Sequence, residues 1–262
     1  LHSSVFEEVD PRLLDEVLAM TGSEEILQEL MRRNLFISAV YEPTTGWRYR
    51  YHLLFRNFLR RTWHKRFSLR ERKHFLCRTA RAYARKRHLA SSVDFFLQAG
   101  EFHPAASVLR ILGRKMIQEG RQGDLRGLLK RFPERLIRTK PWLLLYRASC
   151  RRYSHAGENL GDLLKAEAMF REAGDTRGCL LALGYLLEAV MLAGRDPVPM
   201  ETLLARGEQL LSGLDFSRFP LEQAILWLNM GFCYALRGED PRDGYTASQN
   251  AFFLAKKIKN RP

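Results

Sequence analysis

Acid is almost missing between Arg48 and Arg87, where fifteen basic residues face a single carboxylate, Glu71. Most of the formal excess of +14 therefore sits in one segment. Such a block implies a contact with phosphates, with an acidic protein surface or with anionic lipid. Chemistry-bearing spacings are also missing. The seven histidines form no HExxH or similar ligand pattern, so no metal site is assigned. The pairs Glu7-Glu8 and Glu24-Glu25 are adjacent, and adjacent residues on a helix do not face each other; they read as helix-start charges. No nucleophile–base spacing and no G-x-x-x-x-G-K-[ST] phosphate loop occurs. No catalytic residue is therefore assigned, and the chain is not expected to be an enzyme. The four cysteines Cys77, Cys150, Cys179 and Cys233 form no CxxC pair, which predicts reduced core thiols in a cytoplasmic protein. No basic stretch followed by an apolar one opens the chain, so no secretory signal is expected. The longest apolar run, Cys179 to Leu187, is closed by Glu188 and is too short for a bilayer. No membrane contact is expected.

What is present is a foldable chain of 262 residues, 46% of them hydrophobic, enough for one or two domains. Leu1 in place of an initiator Met, and a basic tail that stops in mid-pattern, predict a piece of a longer protein. Pro11–Met20 and Ser23–Asn34 carry helical periodicity, with Glu24 and Glu25 suited to a helix start. Leu35–Val40 reads as a short strand and Glu42–Gly46 as a turn. Trp47, Tyr49 and Tyr51 then alternate with Arg48 and Arg50, which predicts a half-buried strand with its aromatic face inward. From His52 the period becomes helical, and Phe55, Phe58, Leu59, Thr62 and Trp63 share a face. Helix, helix, strand, turn, strand, helix is the order of a winged-helix domain, placed at residues 1–67.

Residues 68–262 read as helix throughout. Gly100, Gly120, Gly157, Gly174, Gly194, Gly213 and Gly238 mark helix ends. The intervals predict an α-solenoid of tetratricopeptide-like helix pairs. Trp227-x-x-Met230-Gly231-x-x-Tyr234 fits W-x₂-L-G-x₂-Y, and Leu180-x-x-Leu183-Gly184-x-x-Leu187 is a worn copy. Gly184 and Gly231 would allow close approach of a paired helix, offsetting their cost of roughly 1 kcal/mol. Pro133 interrupts the pattern, and a joint is placed at residues 126–139. The aromatics Trp142, Tyr146, Tyr153, Tyr185, Trp227, Phe232 and Tyr234 would suit a ligand groove, but their spacing fits repeat cores as well, and core is the preferred reading.

Two stretches carry a resemblance. Residues Glu25 to Phe36 resemble the L-x-x-L-x-x-x-N-L-F segment of MalT-like, LuxR-type transcriptional regulators. Tyr49 to Leu59 resembles their YRYHxLFxxFL segment, and Ala80, Tyr83, Ala84 and Ala90 to Ala106 are similar to their first helical repeats. The resemblance implies a STAND-class ATPase as the parent. It would have an upstream nucleotide-binding domain holding ATP or ADP, a winged helix, a helical sensor array and a downstream DNA-binding domain. This segment would hold no cofactor of its own and would meet DNA only indirectly. Its effector, a small molecule or a protein, is not named by the sequence. The resemblance also implies a role for His52, which in the wider class approaches the β-phosphate of bound ADP. Here Leu53 follows it where that class has Asp.

The residues themselves place His52 where a strand hands over to a helix, near an N-terminus that favours anions. The alternative is a half-buried histidine satisfying a local backbone group. Arg48, Arg50, Arg56, Arg60, Lys65, Arg78, Arg81 and Arg85 form the candidate basic contact surface. The alternative is a solvated face. Ser23–Asn34 is acid-rich for a DNA-reading helix. The leading function is a regulatory segment that couples effector binding to an upstream nucleotide-binding domain. A stand-alone protein-interaction scaffold and a basic winged-helix protein that binds nucleic acid are the alternatives.

Overall fold

Asp10 starts the first helix. Its carboxylate accepts from the N–H groups of Arg12 (3.0 Å) and Leu13 (3.3 Å), and Pro11 supplies a preset φ at the first helical position. Helix α1, Pro11–Leu18, buries Leu13, Leu14 and Val17. In this computed structural model residues 1–43, 46–152, 156–193, 198–238 and 241–259 are described. Gly22, at φ 87°, precedes α2, Ser23–Arg32, and the Ser23 N–H donates to Asp15 Oδ1 at 3.1 Å. Strands β1 (Ile37–Glu42) and β2 (Gly46–Tyr51) pair antiparallel, Ile37 opposite Tyr51 and Glu42 opposite Gly46. Val9 bridges Tyr49 through two backbone bonds, 2.7 and 3.0 Å. The first strand starts two residues later than the sequence predicts, because Phe36 takes a left-handed φ of 53°.

Two expectations about this module are corrected. Tyr49 and Tyr51 are buried, but Trp47 is 41% exposed near the hairpin tip, where it meets Tyr41 edge-on at 5.2 Å. In α3, Leu53–Arg66, only Trp63 of the predicted apolar face is buried, and Phe58 is 61% exposed. The helix packs mainly on a short 3-10 turn at His2–Val5, and the Trp63 indole donates to His2 Nδ1 at 3.1 Å. Helix α4, Leu69–Arg85, opens on a capping box in which Ser68 and Glu71 satisfy each other's backbone N–H. The single acid of the basic stretch is thus a helix cap. Helix α4 packs on α5 (Leu89–Gln98) and on α1.

The chain divides into two compact units, residues 1–112 and 113–262, with the change falling inside α6, Phe102–Gln118. The second unit holds α7 (Gln122–Leu129), α8 (Glu134–Ile137), α9 (Pro141–Arg151), α10 (Ala156–Glu172), α11 (Thr176–Ala193), α12 (Met200–Ser212), α13 (Pro220–Arg237) and α14 (Pro241–Lys259). Pro133 stands before α8, so residues 126–139 contain the end of one short helix and all of another. Sequential neighbours α9–α10, α10–α11 and α13–α14 pack together, and α11 also packs on α13. The described chain is mainly helical with one small two-stranded sheet.

Gly184 lies in the α11–α13 approach, where a Cβ would come within 3.0 Å of Ile225 Cγ2, tighter than most such contacts. Gly231 serves the α13–α14 approach, its Cβ position lying 3.0 Å from Ser248 Oγ. Gly157 is the second residue of α10, at a helix start rather than after a helix stop, and Gly194 lies outside the described residues. Trp142, Tyr146 and Tyr185 are buried core, whereas Phe232 is 54% exposed on α13. Tyr153 lies outside the described residues. Helix α11 is long and apolar enough to cross a membrane by length and composition, longer than the nine-residue run suggests. Two thirds of it is buried inside the protein, as in a core helix. All four cysteines are buried and none is in a disulfide among the described residues, and burial pushes Cys179 up to about 11.

Candidate functional site

His52 stands at the junction of β2 and α3. Its N–H donates to the Phe36 carbonyl at 2.7 Å, extending the hairpin by one bond, and its carbonyl accepts from the Arg56 N–H at 2.9 Å, opening the helix. It is the residue before the first helical one, and its side chain makes no capping bond. Among the described residues no side chain is seen to accept from the first-turn amides of α3, the arrangement that favours an anion. The imidazole is exposed and makes no side-chain hydrogen bond among the described residues; its ring lies 6.4 Å from that of Phe36.

A cavity of about 640 Å³ opens here. Asn34, Phe36, Ile37 and Ser38 line one side, Arg50, Tyr51, His52, Leu53 and Arg56 the other, and Glu7 contributes one acid. Arg56 brings its guanidinium to this place from one turn inside α3, and its buried Nε has no hydrogen-bond partner among the described residues. Burial pushes the Tyr51 phenol up, opposed by its contact with Ser3, so Tyr51 offers a neutral ring. The cavity joins an open helix terminus, an imidazole and a guanidinium. That set suits a phosphate oxygen better than a neutral ligand. The sequence singled out His52, Arg50 and Arg56, but not Asn34 or Phe36. Both take a φ of 53°, and for Asn34 that conformation is a common one.

The basic surface is less free than the sequence implies. Arg48 pairs with Asp10 at 2.9 Å, with only 20% and 15% of the two side chains exposed. Arg50 pairs with Glu8, and Arg85 with Glu16 at 2.5 Å. Lys86 lies 3.7 Å from Glu16, and Lys73 is 2.7 Å from Glu101. Arg56, Arg60, Lys65, Arg78 and Arg81 make no ion pair among the described residues. A second cavity, of about 730 Å³, brings together Arg48, Arg50, Arg56 and Arg60 with the acids Glu7, Glu8, Asp10 and Asp94. Its charge is mixed. Arg56 lines both cavities. Burial pushes the Tyr83 phenol, beside the second one, up to about 12. Among the described residues no cluster of three His, Cys, Asp or Glu could hold a metal ion.

Residues 1–71 match the family model for the MalT winged helix domain. This covers the hairpin, α3, His52 and the capping box that opens α4. No curated protein and no solved structure matches the chain. The first unit thus carries a MalT-like winged helix, which supports a role in transcription regulation.

Proposed function

We propose that the chain is the regulatory segment of a MalT-like, LuxR-type activator of the STAND ATPase class. An upstream nucleotide-binding domain would meet the winged helix at His52, and a downstream domain would bind DNA. The observation that carries this reading is the open N-terminus of α3 beside His52 and Arg56, within residues that match the MalT winged helix domain. The donor set fits one phosphate group of ADP. His52 would donate to a phosphate oxygen, the first-turn amides of α3 would offer their N–H groups, and Arg56 would supply charge. The nucleotide would thereby hold the two domains closed. Residues 68–262 act as a tetratricopeptide-like solenoid in this reading, supported by the sequential packing of α9, α10, α11, α13 and α14. An effector bound there favours the open state only if it binds that state more tightly.

The test uses the longer regulator that contains this segment. His52→Ala should raise transcription without inducer and reduce ADP retained on purification. The same should hold, more weakly, for Arg56→Gln. Unchanged basal transcription with unchanged ADP content in both variants refutes the phosphate-contact role. Direct DNA binding favours the alternative of a basic nucleic-acid binder. It would appear as an association of this chain alone that weakens steeply with salt.

A further inference from the structure

The second unit contains a half-open cavity of about 380 Å³ lined by α7, α8 and α9. Its size falls at the small end of ligand pockets. Leu129, Phe132 and Ile137 form an apolar floor, each 4–5% exposed. The walls carry Arg126, Lys130, Arg147 and Arg151, and a single acid, Glu134. That acid is already committed. Glu134 Oε1 accepts from Arg138 Nε and from Arg147 Nη1, both at 2.7 Å. The Arg138 and Arg147 guanidinium groups hold its carboxyl below the usual carboxylate range. Arg147 is neutralised a second time by a two-pronged contact with Asp162, 2.9 Å at each bond. Neither Arg147 nor Glu134 therefore sets the cavity's charge. Of the other cations, Arg151 has an interaction of its own, and Lys130 makes no ion pair among the described residues. Arg126 adds its guanidinium, anchored on the Cys150 carbonyl at the end of α9. Cations over an apolar floor in one small space match a ligand with the same two parts.

The geometry points to a binding site between α7, α8 and α9 for a small organic anion, a carboxylate or phosphate head on a short apolar body. The head meets Lys130 and Arg126, and the body lies on Phe132 and Ile137. The inference goes beyond the regulator reading and does not need it, because the site belongs to this chain alone. Within that reading it would be a place for the effector.

Binding of sodium octanoate and of phenyl phosphate to the whole chain is measured by titration calorimetry, with octanol and inorganic phosphate as probes of each half alone. At least one of the two amphiphiles should bind one to one. Lys130→Met, at an exposed position that leaves folding intact by circular dichroism, should weaken it about tenfold, the loss of one charge-assisted contact. The ligand should also slow alkylation of Cys150, which lines the cavity, and leave Cys179, which does not, unchanged, as read by peptide mass. Four results overturn the proposal. They are no binding of either amphiphile, equal binding of octanol, equal binding of inorganic phosphate, and binding that neither Lys130→Met weakens nor Cys150 protection accompanies. Basal transcription of the longer regulator plays no part in this test, so its outcome is separate from that of His52→Ala.

Discussion

Removing Asp10 tests whether the basic segment is neutralised from within. Asp10 has two duties: its carboxylate caps α1, and it pairs with Arg48 at 2.9 Å. Losing the cap costs about 1 kcal/mol. The ion pair is mostly shielded, with side-chain exposures of 15% and 20%. It therefore lies between exposed pairs, worth about 0–1 kcal/mol, and buried ones, whose disruption costs about 3–5 kcal/mol. A loss of roughly 1–2 kcal/mol is reasonable for it. Asp10→Asn keeps the cap, since asparagine caps as well as aspartate, and should cost about 1–2 kcal/mol. Asp10→Ala loses both and should cost about 2–3 kcal/mol. In an Arg48→Ala background the asparagine change should cost almost nothing, so the double-mutant cycle should close with a coupling of about 1–2 kcal/mol. Urea unfolding of the four variants measures this, and amide exchange at residues 9–18 and 46–51 places the loss in the first unit. A coupling near zero would refute the reasoning. Arg48 would then belong to the outward-facing basic surface that the sequence alone suggests.

Gly178→Ala should destabilise the second unit although alanine favours helix, because its Cβ would sit 2.2 Å from the buried Phe170 ring. Overpacking of about 1–3 kcal/mol outweighs about 1 kcal/mol of helix propensity. Gly161→Ala, with nothing within 4 Å, should stabilise by up to about 1 kcal/mol; equal effects of the two in urea melts would contradict this. Asp175 accepts from the Gly178 N–H at 3.1 Å and from the Trp142 indole at 2.9 Å. Asp175→Ala should therefore cost about 2–4 kcal/mol by loss of the cap and of the indole's acceptor, with a change in the near-ultraviolet dichroism of Trp142. The Tyr83 phenol, held near 12 against an ordinary 10.0 chiefly by burial, gives a pH signature. Its contribution to stability is full below pH 10 and is lost as pH rises towards 12. Ultraviolet titration of the wild type minus Tyr83→Phe should show one phenol ionising near 12; ionisation near 10 while the protein stays folded would contradict it.

The order of elements in the first 67 residues was legible because each uses a different period. Leu27, Leu30 and Met31 repeat as a helix, Tyr49 and Tyr51 alternate as a strand, and the change at His52 marks the start of α3. Gly184 and Gly231 were legible because they stand in the repeat-like patterns Leu180–Leu187 and Trp227–Tyr234, where a paired helix comes close, unlike Gly161. Three aromatics misled. Trp47, Phe58 and Phe232 lie on apolar patterns yet remain exposed. A period shows which residues share a face, not whether another element covers it. The pocket beside His52 was half legible: its basic residues are neighbours in sequence, but Asn34, Phe36 and Glu7 reach it only through the hairpin and the N-terminal segment.

By itself the sequence determined which stretches become helix or strand, where the chain turns and how much charge each stretch carries, because backbone preference and side-chain periodicity act over a few residues. Only the tertiary structure decided which of those charges meet. Arg48, Arg50 and Arg85 find Asp10, Glu8 and Glu16 from far along the chain, and Lys130 is left over a cavity floor beside an acid already committed to two arginines. Coulomb's law works through space, over a few ångströms, and the fold alone sets which residues come that near.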